Sequence, residues 1–349
     1  MRIHHFGASL CLCIPLIFTA CREKDGNGGK TRVVTDMMGR KVAIPVEVRR
    51  VVGLPDAVNE WMLLLGHPEK MVGIYASFQK NPWVQRIYPE VAKMPVPFAN
   101  SDAANEEVLL KIRPQLAIEL KGHTSESFKK LGIPTLELER RDFKELEEGL
   151  RIAGDALGPD EKAAAGRFCA YFDSNVAYVR ARTDALPASR RPRVLYVHGS
   201  SHGTSTEGKG TLVQSWIEAA GGRNIAADSG FEGMGNNNVV PMEQILRWNP
   251  QVVVCMTEKI RQEILGNPQW ACVQAVRDGK VFVNPKGIFF WCTRGADEAM
   301  QVLWAAKTIH PELFADLDLV ARTKSFYQRF YRYDLTKDQA LLMLEGKNP

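Results

Sequence analysis

Two stretches decide the fold: Glu107-Val108-Leu109-Leu110-Lys111-Ile112-Arg113-Pro114-Gln115-Leu116-Ala117-Ile118 and Glu243-Gln244-Ile245-Leu246-Arg247-Trp248-Asn249-Pro250-Gln251-Val252-Val253-Val254. Each sets a glutamate seven residues before a proline, with a short amphipathic helix between them and an apolar strand after. The same unit occurs once in each half of the chain, which predicts two lobes built alike. Around the first copy, Val51–Gly53, Met71–Tyr75, Leu116–Leu120 and Thr135–Leu138 read as short strands separated by helical stretches. Around the second, Arg193–Val197, Gln251–Cys255 and Lys280–Val283 do the same. Strands alternating with helices imply βαβ units and mostly parallel sheets, so the fold class is α/β.

Between the two sets, Pro159–Ala185 is broken only by Gly166 and carries Phe168, Phe172, Val176 and Val179 at helical spacing. At 1.5 Å per residue this helix would be about 40 Å long and would join the lobes as a rigid rod. The expected organisation is a leader at 1–20, a tether at 21–30, a first lobe at 31–157, a connecting helix at 158–187 and a second lobe at 188–349. Phe326, Tyr327, Phe330, Tyr331 and Tyr333 form a stripe expected to pack on the second lobe. Asp334–Gly346 reads as a last short helix ended by glycine.

The leader has a basic start, Arg2, followed by an apolar run from Phe6 to Phe18. That run is too short for a membrane span, which needs roughly 20 residues, and suits an export signal. Phe18-Thr19-Ala20-Cys21 resembles a bacterial lipoprotein cleavage box with Cys21 as the lipid acceptor. The polar Arg22–Lys30 stretch reads as a flexible tether. The expected location is therefore outside the cytoplasm, periplasmic or at the cell surface, with a lipid anchor through Cys21.

The 349 residues carry 45 Lys plus Arg against 40 Asp plus Glu, a formal charge of +5, and are 45% hydrophobic. These values exclude a disordered chain, and without a basic block they give no reason to expect nucleic acid as a partner. Beyond the leader, Cys169, Cys255, Cys272 and Cys292 form no CxxC pair. Their even number permits bridges, while their scatter favours buried thiols.

Thr35–Pro45, Arg50-Val51-Val52, Glu60–Gly66, the two Glu-to-Pro segments, Ala219–Ala226 and His310-Pro311-Glu312-Leu313-Phe314 together resemble the periplasmic iron-chelate and cobalamin binding proteins of ABC importers. The resemblance covers residues 31–345. It implies two α/β lobes joined by one long helix, a ligand cleft between them and little hinge closure. It also implies a monomer that delivers a ferric siderophore, or a corrinoid or haem, to a permease dimer with its ATPase. No resident cofactor is implied. By position, Glu107 and Glu243 would dock on basic pockets of the permease. A carboxylate in the first turn of a helix is also accounted for by the helix dipole alone.

Ligands of parallel sheets lie beyond the carboxyl ends of the strands. The residues there are Tyr75, Phe78, Lys80 and Trp83, then Lys121 and His123, then His198, His202 and Thr204, then Trp291 and Arg294. Aromatic faces with a few cations suit a large anionic chelate, and no ring of small donors for a bare anion is evident. His198 and His202 are four apart, yet the glycines and serines between them make a turn, so a shared metal is not expected. Gly199-Ser200-Ser201-His202-Gly203 matches a nucleophile elbow, with Asp297 and His310 to complete a hydrolase triad. The glycines from Gly203 to Gly210 break the helix that an elbow requires. Gly203–Gly210 also approaches a phosphate loop but ends in Gly210 where a hydroxyl is needed. It reads instead as a cleft loop with NH groups facing the ligand.

Overall fold

The computed structural model describes residues 30–99, 103–123, 125–199, 204–233, 238–292 and 295–349. The leader, the tether up to Gly29, Cys21, Ser200, Ser201, His202 and Arg294 lie outside the described residues. Twelve strands are present among those described: β1 Thr31–Thr35, β2 Lys41–Pro45, β3 Val51–Leu54, β4 Met71–Gly73, β5 Leu116–Leu120, β6 Thr135–Leu138, β7 Arg193–Val197, β8 Thr204–Ser205, β9 Arg223–Asn224, β10 Val239–Val240, β11 Val252–Cys255 and β12 Val281–Val283. The first lobe holds a parallel sheet in the order β4-β3-β5-β6, and the second holds one in the order β12-β11-β7-β9. Read from the other edge, the second order is β9-β7-β11-β12, the same topology as the first. The two lobes are one design used twice.

The repeat extends to individual hydrogen bonds. Helices Glu106–Ile112 and Met242–Trp248 end on the left-handed residues Arg113 (φ 44°) and Asn249 (φ 43°), which turn the chain through proline into β5 and β11. An arginine at the start of the neighbouring strand closes each helix end. Arg50 Nε donates to the carbonyl of Ile112, and Arg193 Nε donates to that of Trp248, both at 3.0 Å. These bonds satisfy carbonyls that a helix C-terminus leaves open.

The parallel sheets are covered on both faces, as such sheets must be. In β7 and β11, Val194, Tyr196, Val252 and Val254 join the main core, while Leu195, Val197, Val253 and Cys255 enter a second core on the other face. That division follows from the two-residue period of a strand. The main core runs through the first lobe, the connecting helix and the terminal helices, so the lobes share it.

The connecting helix spans Pro159–Thr183, starting after the helix Phe143–Leu157 and Gly158. It buries Phe168, Phe172 and Val179 of the expected stripe, while Val176 is only partly buried. Near its start Glu161 pairs with Lys70 of the first lobe. Farther along, Asn175 Nδ2 donates to Ala299 O at 2.8 Å and Thr183 Oγ1 donates to Ala219 O at 2.7 Å, both in the second lobe.

One placement differs from expectation. The helix Leu319–Tyr331 packs against both lobes rather than the second alone. Phe330 lies edge-on to Phe168 at 5.5 Å, and the Tyr331 hydroxyl donates to Glu60 of the first lobe at 3.0 Å. After the final helix Lys337–Leu344, the Lys347 carbonyl accepts from Trp83 Nε1 at 2.8 Å. An aromatic stripe shows that a face is buried but does not name the partner, so the sequence pattern was silent on this bridging.

The four described cysteines are all free, and Cys272 alone among them is exposed. Burial pushes the Cys169 and Cys255 thiols up to about 12. No described helix is long and apolar enough to cross a membrane.

Candidate ligand site between the lobes

A cavity of about 300 Å³ opens between the lobes, lined by Lys121, Gly122, Glu139, Arg140, Arg141, Gly210, Thr211 and Gly233. Lys121 and Gly122 follow β5 directly, and Glu139–Arg141 follow β6, so the first lobe contributes the carboxyl ends of two adjacent strands. The second lobe contributes the start of the helix Leu212–Ala219, capped by the Thr211 hydroxyl, which accepts from Gln214 N. The positive end of that helix dipole borders the cavity.

Lys121 and Arg141 flank Glu139 in this lining. Glu139 sits 3.2 Å from Lys121 Nζ and 3.8 Å from Arg141 Nε, while Arg141 also pairs with Glu145. Arg140 is buried. A buried guanidinium beside a lysine and a helix start makes the cavity a place where negative charge is stabilised. No group of His, Cys, Asp and Glu among the described residues has metal-holding geometry.

The residues expected from sequence fall into separate places. Lys121 lines the cavity. His123 follows the same strand and is half-buried, its backbone N donating to Leu120 O. Phe78, Trp83 and Trp291 are completely buried in the main core. Tyr75 is also buried and stacks on Phe98 at 5.2 Å, and Lys80 is exposed at the end of the short helix Ala76–Lys80. His198 lies 6.1 Å from the Tyr196 ring, its backbone N donating to Ser205 O. Thr204, in β8, borders a different hollow with Val240, Met242 and Trp270.

The glycine-rich segment is also used differently from expectation. The NH groups of Gly208, Lys209 and Gly210 donate to Gly233 O, Phe231 O and Gln214 Oε1, so the chain itself takes them. The triad reading fails on length. Asp297 precedes and His310 follows the twelve-residue helix Glu298–Ile309, which separates them by about 18 Å along its axis. Arg140, Arg141 and Thr211 were not singled out in the sequence. The basic pair directly after a predicted strand was the available signal for the first two.

Behind the cleft, a buried polar node joins the lobes. Glu60, on the helix Asp56–Leu64, accepts from Ala296 N at 2.9 Å and from Asp297 N at 3.1 Å, in addition to the Tyr331 hydroxyl. Asp297 in turn accepts from the Tyr327 hydroxyl at 3.1 Å. A methyl on Gly295 would sit 1.9 Å from the Glu60 carboxylate, so glycine is required there. Burial raises the Glu60 carboxyl to about 7, and burial with the nearby Glu60 charge holds Asp297 well above the ordinary carboxylate range.

Glu107 and Glu243 are exposed, each in the first turn of its helix.

Residues 51–287 match the family described as "Periplasmic binding protein". The chain is 26% identical to the molybdate-binding protein MolA of Haemophilus influenzae over 95% of its own length and 97% of the relative's. The structure of that protein bound to molybdate superposes with a TM-score of 0.75 at 24% identity, covering 87% of this chain and 99% of the other. A periplasmic solute binding protein from Veillonella parvula gives 0.75 at 26% identity, covering 90% and 97%. Helicobacter pylori CeuE with nickel and histidine gives 0.73 at 19%, covering 90% and 99%.

Proposed function

The chain belongs to the periplasmic binding protein family, as the substrate-binding protein of an ABC importer rather than an enzyme, and on that premise we propose that its ligand is a small oxyanion of the molybdate type. The observation that carries this reading is the inter-lobe cavity lined by Lys121, Arg140 and Arg141 and bordered by a helix start. A compact dianion gains charge-assisted hydrogen bonds from such a lining. A bare cation would be repelled by it. The binding of molybdate by the Haemophilus relative supports the same choice.

A ferric siderophore, the expectation from sequence, called for aromatic faces. The described lining has none, because Phe78, Trp83 and Trp291 are in the core. About 300 Å³ is also the lower end of the range for small-molecule pockets. In this reading Cys21 tethers the exported chain to a membrane. The ligand is captured in the cleft without a covalent step, and Glu107 and Glu243 dock the loaded protein on the permease.

Calorimetric titration of residues 22–349 with molybdate, tungstate, sulfate, phosphate, ferric siderophores, haem, cobalamin and nickel with histidine tests this. One molybdate or tungstate per chain is expected. Binding of a ferric chelate or corrinoid with no oxyanion response would overturn it.

A further inference from the structure

The repeated helices Glu106–Ile112 and Met242–Trp248 match beyond their glutamates. Aligned on Glu107 and Glu243, they place Leu110 with Leu246 and Lys111 with Arg247. Each helix already has a buried face, formed by Leu109 and Ile112 in one and by Ile245 and Trp248 in the other. Leu110 and Leu246 are not part of it: they are 62% and 42% exposed. One exposed leucine needs no explanation. The same leucine at equivalent positions of both lobes, three residues after a matched acid and on the same helical face, is not accounted for by packing.

We propose that Leu110 and Leu246 are paired apolar anchors for the permease. Each would enter a hydrophobic pocket on one permease half, while a cation beside that pocket meets Glu107 or Glu243. This rests on the docking role of the two glutamates proposed above. The occupant is a permease dimer rather than an unrelated protein, because both lobes offer the same acid, leucine and base in the same order. A surface presented twice is suited to a partner made of two like halves.

The test measures ligand-loaded protein binding to the permease–ATPase complex in lipid nanodiscs, with ligand affinity measured separately. Leu110→Ala and Leu246→Ala should each weaken complex formation on the order of tenfold, as loss of a buried leucine does, and by similar factors. Their combination should weaken it further, with ligand affinity unchanged. Leu110→Gln with Leu246→Gln should repeat the loss while the circular dichroism spectrum stays native. Leucine variants that bind like wild type, beside a Glu107→Ala/Glu243→Ala protein that does not, would overturn the anchors and leave the docking reading standing. If the glutamate variant also binds like wild type, the docking reading itself falls. A loss confined to the leucine variants would keep the anchors and reject the role of the acids.

Discussion

Replacing Glu60 with glutamine tests the node that holds the lobes together. In the unfolded chain this carboxyl titrates near its ordinary 4.5, and in the folded protein near 7. Between those values the folded state keeps a proton that the unfolded state releases. Stability that is full below pH 4.5 is therefore lost as the pH rises through 7, by about 3 kcal/mol from this group. Glutamine cannot titrate. Its carbonyl can still accept from Asp297 N and Tyr331, but its amide then faces the Ala296 N–H, a donor left without an acceptor. That mismatch costs about 1–3 kcal/mol at every pH. The variant should therefore be clearly less stable than wild type at pH 5, and the gap should close or reverse by pH 8. Glu147, raised to about 7 by burial and by Asp173, adds its own slope to both proteins, so the difference between them is the readout. Urea unfolding of residues 22–349, followed by tryptophan fluorescence from pH 5 to 8, measures it. Parallel pH profiles for the two proteins would refute the reasoning.

Three further outcomes follow from the same structure. Lys121→Ala and Arg140→Ala should each weaken oxyanion binding about 10- to 100-fold in calorimetry, the loss of one charge-assisted hydrogen bond, and unchanged affinity would remove the cavity from consideration. Trp291→Ala should lower stability by about 3–5 kcal/mol, because the side chain is core, while folded protein keeps its ligand affinity; the reverse pattern would return Trp291 to the cleft. A thiol reagent added to folded residues 22–349 should label Cys272 rapidly and leave Cys169, Cys255 and Cys292 until urea is added; rapid labelling at several sites would contradict their burial.

The α/β repeat was legible in the sequence because it is written locally. An amphipathic helix, a proline and a β-branched run sit within a dozen residues, and each copy needs only its neighbours to form. The connecting helix was legible for the same reason. Trp83 and Trp291 were placed at the cleft because they follow strands, and sequence position does not say whether an indole at a strand end turns toward solvent or toward core, where both are buried. The node was invisible. Glu60 and Ala296 are 236 residues apart, and nothing near either one signals a carboxylate buried against a helix start. The cavity was half legible: Lys121 was chosen, while the basic pair Arg140 and Arg141 after β6 was passed over, and it joins Lys121 because β5 and β6 are adjacent. The contribution of Thr211 required knowing which second-lobe loop faces them.

A buried node ties one lobe to the other, and the two share a core. The central claim is that a small oxyanion sits in the cleft between them. The most direct measurement is a crystal structure of the protein with molybdate, with data collected at the molybdenum absorption edge. The account predicts one anomalous peak between Lys121, Arg140 and the start of the helix at Thr211. A peak elsewhere, or an empty cleft in crystals that take up a ferric chelate instead, would contradict it.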